Sequence, residues 1–180
     1  MNDARRRLLQ AGLALAAAPA RGAMTSEAAL KAATGPGWAA WPGATPPLAL
    51  PGLDGRRHAL ADYRGYVVIV NFWASWCEPC RDEIPAMSAL ARRHREQGLR
   101  LLAVNNGEAR AKVDAFLARW PVSGTVLHDR NGQALRDWSV AAMPANYLVD
   151  RQGRLRRWHL GALDWNASDI AEAALALLRS

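Results

Sequence analysis

The only two cysteines of this 180-residue chain stand in the run Trp76-Cys77-Glu78-Pro79-Cys80, directly after an apolar stretch. Thiols are the one side-chain chemistry in the chain suited to reversible two-electron exchange. Two intervening residues put both sulfurs on the first turn of a helix, close enough to bridge as a Cys77–Cys80 disulfide. A helix N-terminus carries unpaired N–H groups and partial positive charge, and both favour the thiolate of Cys77. Cys80, one turn further in, is expected to be more shielded and to resolve a mixed disulfide formed on Cys77. Pro79 suits this turn, because its missing N–H would have no intrahelical partner.

Other uses of the pair fit less well. Half of a zinc site needs two more ligands, and His58, His94, His128 and His159 occur singly along the chain. No metal and no cofactor are therefore expected. A purely structural bridge across so short a loop would remove little unfolded-state entropy. The composition excludes little else. The formal net charge is +7, from 23 Lys and Arg against 16 Asp and Glu. The excess is scattered rather than gathered into a nucleic-acid patch, so it suits solubility and attraction to acidic partners or anionic lipid.

The elements that must position the dithiol follow from hydrophobic patterning. Residues 66–73 (YVVIVNFW) form an unbroken β-branched and aromatic run, which predicts a central strand buried on both faces. A helix is expected from Cys77 to Gln97, stopped by Gly98 and kinked by Pro85. Alternation then predicts strands at 99–104, 125–128, 146–150 and 155–160, with helices at 109–119, 133–137 and 166–178. A short strand at 48–50 and a turn at Asp54-Gly55 predict a hairpin ahead of them. The architecture expected is α/β with a mainly parallel sheet ending in an antiparallel hairpin. This puts Cys77 at the carboxyl edge of the sheet, where sites in open α/β folds occur.

Upstream, Arg5 to Arg7, the apolar stretch 8–18 and Ala18-Pro19-Ala20 have the layout of an export signal over residues 1–20, cleaved or retained as an anchor. The arginines and their surroundings also resemble a twin-arginine signal. Residues 21–45, rich in Gly and Pro, read as a flexible linker around a short helix begun by Ser26, leaving 46–180 as one domain.

The run Val70-Asn71-Phe72-Trp73-Ala74-Ser75-Trp76-Cys77-Glu78-Pro79-Cys80-Arg81 resembles the active-site segment of the thioredoxin superfamily, and in particular the extracytoplasmic TlpA/ResA-like reductases. The likeness extends to Leu53-Asp54-Gly55, to residues 60–65 and to residues 161–165. It implies a thioredoxin-like fold: a central mixed β-sheet flanked by helices, with an N-terminal β-hairpin and a central βα insertion. It also implies that Met143-Pro144 is a cis-proline loop beside the dithiol, leaving the Met143 backbone to pair with an extended substrate. Glu108, in a stretch resembling the family's asparagine-x-glycine-glutamate segment, is implied to lie near the dithiol and to serve its acid–base chemistry. Thioredoxin itself has a buried aspartate where this chain has Asn71, which cannot titrate, so Glu108 becomes the expected proton carrier. Trp73 is expected in the core and Trp76 over the dithiol, in contact with substrate.

Together these features predict a periplasmic protein disulfide reductase, monomeric, that does not bind nucleic acid. The resemblance implies substrates such as apocytochrome c or a copper-site assembly protein, and re-reduction by a membrane thiol carrier. A Cu(I) carrier using Cys77, Cys80 and Met143 or a histidine is the rival reading, since thiolates favour Cu(I). A general disulfide oxidase is disfavoured, because no long helical insertion separates Cys77 from Pro144.

Overall fold

A computed structural model of the chain describes residues 27–180. The elements are helix α1 (Glu27–Ala33), strands β1 (Ala39–Ala40), β2 (Ala49–Pro51) and β3 (Arg57–Ala59), a 3-10 turn (Leu60–Tyr63), β4 (Val67–Trp73) and α2 (Glu78–Arg93). They continue with β5 (Leu99–Asn105), α3 (Arg110–Leu117), β6 (Thr125–His128), α4 (Gln133–Asp137), β7 (Ala145–Val149), β8 (Leu155–Leu160) and α5 (Ser168–Leu178). One six-stranded sheet runs in the order β1-β8-β7-β4-β5-β6, and β2 and β3 pair as a separate hairpin.

The sheet is mixed rather than mainly parallel. Only β4–β5 and β5–β6 are parallel, while β4–β7, β7–β8 and β1–β8 are antiparallel. The tight turn at 151–154 reverses the chain from β7 into β8, and the further antiparallel pairs come from β7 returning against β4 and from β1 joining the β8 edge. All seven residues of β4 are buried. Its alternation splits the core into two layers. Val67, Ile69 and Trp73 face α2, α3 and α5, with Ile84, Met87, Phe116 and Ile170. Val68, Val70 and Phe72 face the other side, with Trp138, Tyr147, Trp158 and Leu60.

Helix α2 stays helical through the exposed Pro85 but ends at Arg93, earlier than expected. Residues 94–97 turn, and Gly98, at a φ of +101°, carries the chain into β5.

The flexible linker expected over 21–45 is not what residues 27–45 form. β1 adds an edge to β8, pairing Ala39 with Trp158 and Ala40 with Arg157. Trp41 is buried and meets Trp158 and Tyr147 edge-on at ring distances of 5.0 and 6.1 Å. Trp38 donates its indole N–H to the Ile170 carbonyl at 3.1 Å. Two large aromatic side chains give the segment enough apolar area to dock despite its Gly and Pro content. The export-signal reading of residues 1–20 lies outside the described residues.

Candidate active site

Strand β4 ends at Trp73, and four residues later Cys77 takes the cap position of α2 with extended backbone angles. Cys77 and Cys80 are joined by a disulfide with a Cα–Cα distance of 5.3 Å. The Cys80 N–H points at the Cys77 sulfur, 3.3 Å away. That donor, together with the dipole of a sixteen-residue helix, favours negative charge on Cys77 once the bridge is reduced. Cys77 is 5% exposed and Cys80 fully buried, so attack from outside meets Cys77 first. Trp76 stands beside them at 68% exposure, while Trp73 is buried and stacks against Phe116 at 4.6 Å.

On the far side of the loop, β7 begins at Ala145, paired with Phe72, which brings Met143-Pro144 to the same edge. The Met143–Pro144 bond is cis. Pro144 accepts the Gly161 N–H at 2.8 Å, and Met143 packs on the cluster that contains both cysteines. Among the described residues neither the amide nor the carbonyl of Met143 is hydrogen-bonded. An extended peptide can add there as a strand adds to a sheet edge.

Glu108 also lies at this edge, but its carboxylate is turned to the backbone. Oε2 accepts the Ser75 N–H at 2.6 Å and the Asn105 side-chain amide at 2.9 Å, and Oε1 accepts the Ser75 hydroxyl. Partial burial pulls its pKa up, yet the Ser75 and Asn105 donors and nearby Lys112 outweigh that and hold it below the usual carboxylate range. A carboxylate so firmly ionised is a poor proton donor near neutrality. Its geometry makes it a brace for Ser75 and Asn105.

The group with the right chemistry is one that sequence reasoning passed over. Glu83 lies on α2 three residues beyond Cys80, which puts the two Cβ atoms about 5–6 Å apart on one helix face. It is 4% exposed. Oε1 accepts the side-chain amides of Asn71 at 2.8 Å and Asn146 at 3.1 Å, and Oε2 accepts Asn146 and the Leu163 N–H, both at 3.1 Å. Burial pushes its pKa up to about 7, against the opposing pull of the Leu163, Asn146 and Asn71 hydrogen bonds. Asn71 and Asn146 stand directly opposite one another on β4 and β7, so the sheet supplies two neutral amides beneath one buried acid. The legible signal was the pairing of Asn71 with an acid one turn beyond Cys80 in an otherwise apolar helix face.

The sequence profile of the AhpC/TSA family matches residues 43–158. Among curated proteins, the thiol-disulfide oxidoreductase ResA of Geobacillus thermodenitrificans is 38% identical over 118 residues, covering 66% of this chain and 68% of that protein. The chain is a ResA-like thiol–disulfide oxidoreductase of the AhpC/TSA family. ResA of Bacillus subtilis is 34% identical over 110 residues, 61% of this chain and 62% of that one. Among solved structures, a Chlorobium tepidum protein described as the thiol:disulfide interchange protein DsbE is 36% identical with a TM-score of 0.70. The match covers 75% of this chain and 95% of that one, and the shared fold is thioredoxin-like.

Membership in this family makes the Cys77–Cys80 pair a protein disulfide reductase centre, and its substrates are disulfide-bearing proteins. The fold implied by the sequence resemblance is present, with β2–β3 as the N-terminal hairpin and β6–α4 as the βα insertion.

Proposed function

We propose that the protein is an extracytoplasmic, periplasmic reductant of selected protein disulfides, in cytochrome c maturation or copper-site assembly. The observation that carries this reading is the concealment of the dithiol. With Cys77 5% exposed and Cys80 at 0%, a protein that also seats on Trp76 and the Met143 backbone presents its disulfide to Cys77 to best advantage. A general reductant would gain nothing from such shielding, and in an oxidising compartment it would be futile.

In the reduced protein the Cys77 thiolate attacks one sulfur of the substrate disulfide. The substrate S–S bond breaks, a Cys77–substrate bond forms, and the second substrate sulfur leaves as a thiolate that takes a proton. Glu83 removes the proton from Cys80, whose thiolate attacks the Cys77 sulfur and displaces the substrate as a dithiol. Two electrons pass to the substrate and the chain is left with the bridge seen here. A membrane thiol carrier then restores the dithiol. Residues 1–20 serve as the export signal, cleaved or kept as an anchor, and the catalytic domain works as a monomer.

The test is a Cys80→Ala chain exported in a host cell. Without the resolving thiol, the substrate stays on Cys77 and can be identified by mass. One or a few defined proteins with paired cysteines are expected; capture of bulk secreted protein, or of nothing, contradicts selective reduction.

A further inference from the structure

The end of the sheet away from the dithiol is chemically its opposite. In the β4–β5 register the pair Trp73–Asn105 lies at the cysteine edge and Val67–Leu99 at the other. Around that second edge stand arginines from α2, from the turn after it and from β5. Arg92 stands in the last turn of α2 and donates to the Ser123 hydroxyl at 3.3 Å. Arg100 donates to the Arg95 and Leu99 carbonyls and lies over the Tyr66 ring at 4.0 Å. The Arg95 guanidinium has no partner among the described residues. These three side chains line an open cleft of about 460 Å³ together with the hydroxyl-bearing Ser123, Thr125 and Tyr63, and among the described residues no carboxylate lines it.

Guanidinium groups and hydroxyls without a competing acid are the chemistry of phosphate recognition. The positive surface also continues past the cleft. Arg93 is exposed beside it, and the neighbouring turn is tied in by Arg64, bonded to the Gln152 carbonyl, and by Arg151, bonded to the Gly65 and Gln97 carbonyls. The acids at this end do little to cancel it. Asp150 is buried between Arg154 and Arg156, and Asp62 is engaged by the Ala59 N–H, which leaves Glu96 as the exposed carboxylate of the adjoining turn. Tyr66 is 37% exposed here, one of two large hydrophobic side chains so exposed among the described residues, and the other, Trp76, is beside the dithiol.

We propose that this arginine end docks on an anionic membrane surface, with a lipid phosphate in the Arg92–Arg95–Arg100 cleft and Tyr66 at headgroup depth. A soluble phosphate would need only the cleft. A cationic face wider than one anion, with an exposed tyrosine stacked under an arginine, fits a bilayer interface. The seven residues of β4 span roughly 20 Å at about 3.3 Å per residue. The docked dithiol is therefore held on the side away from the bilayer, open to substrates in the compartment, and it meets the membrane thiol carrier once the protein undocks. The inference stands independently of the redox chemistry.

Flotation of the full chain with vesicles tests it, comparing phosphatidylglycerol–phosphatidylethanolamine with phosphatidylcholine alone. The wild type should favour the anionic vesicles and lose that preference at high salt. The double variant Arg92→Gln/Arg95→Gln should bind them about 30-fold more weakly. Arg56→Gln/Arg57→Gln, with the same charge change on the hairpin, should stay near wild type. Both variants should reduce a soluble disulfide peptide at the wild-type rate, showing that the fold is intact. Equal flotation of wild type and Arg92→Gln/Arg95→Gln would overturn the proposal and assign any binding to other residues. Displacement of the wild type from vesicles by millimolar inorganic phosphate would overturn it in favour of a soluble anion.

Discussion

Replacing Glu83 by glutamine should flatten the pH dependence of folding stability. Burial raises the pKa of Glu83 from an ordinary 4.5 to about 7, so the folded protein holds this proton more tightly than the unfolded chain does. The contribution of the group to stability is then complete below about pH 4.5 and is lost as the pH rises through about 7. The gap between the two values, at about 1.4 kcal/mol per pH unit, amounts to about 3 kcal/mol. Guanidinium unfolding of the oxidised protein measures it, with wild type and Glu83→Gln followed in parallel from below pH 4.5 to about pH 8. Other titrating groups are shared and cancel in the difference. Glutamine must also turn an NH2 group toward the Leu163 N–H or the Asn146 amide, and that cost is the same at every pH. Its stability relative to wild type should therefore climb by about 3 kcal/mol across the window, whatever its starting level. Curves that stay parallel across the window would refute the argument, because they would mean that Glu83 titrates alike in the folded and unfolded states.

Four further outcomes follow from the same geometry. Glu108→Gln should slow thiol exchange several-fold at every pH without moving the apparent pKa of the profile, since Glu108 braces Ser75 rather than carrying the proton; stopped-flow rates across pH 5 to 9 check this, and a shifted profile would restore the acid–base role. Its effect on stability should have the opposite sign to that of Glu83: a depressed pKa contributes above the unfolded value and is lost as pH falls, so the wild type's advantage over Glu108→Gln should shrink in acid. Trp76→Ala should raise KM for a protein disulfide about tenfold, or about 1.4 kcal/mol, while leaving the reduction of a small dialkyl disulfide near the wild-type rate. Trp41→Ala should destabilise the fold by about 3–5 kcal/mol in chemical denaturation, a loss that a flexible linker residue would not produce.

The framework of the fold was open to sequence reading because the apolar runs are strong. The bounds of β6, α4 and β8 are those that the patterning predicts, and β4 differs from the prediction by one residue. The N-terminal segment was misread for a physical reason. Its Gly and Pro residues dominate local propensity, whereas its docking depends on Trp38 and Trp41 meeting Ile170, Trp158 and Tyr147, more than a hundred residues away. The site divided along the same line. Cys77, Cys80 and Pro144 belong to short local motifs, and motifs survive in sequence. Glu108 lies at the edge, and the Ser75 and Asn105 donors that favour its ionised form are brought to it only by a folded loop. By sequence alone Glu83 is one of three acids in α2, beside Glu78 and Asp82. Its role depends on β4 and β7 aligning Asn71 with Asn146 beneath it, a register that nothing within one segment reveals.

The central claim is that Cys77 attacks and Cys80 resolves. It is tested most directly by mixing the reduced Cys80→Ala and Cys77→Ala chains, each in turn, with an oxidised peptide containing one disulfide, and mapping the adduct by mass after rapid quenching. Fast, stoichiometric adduct is expected on Cys77 in the first chain and almost none on the buried Cys80 in the second. Comparable rates at both sulfurs would contradict it.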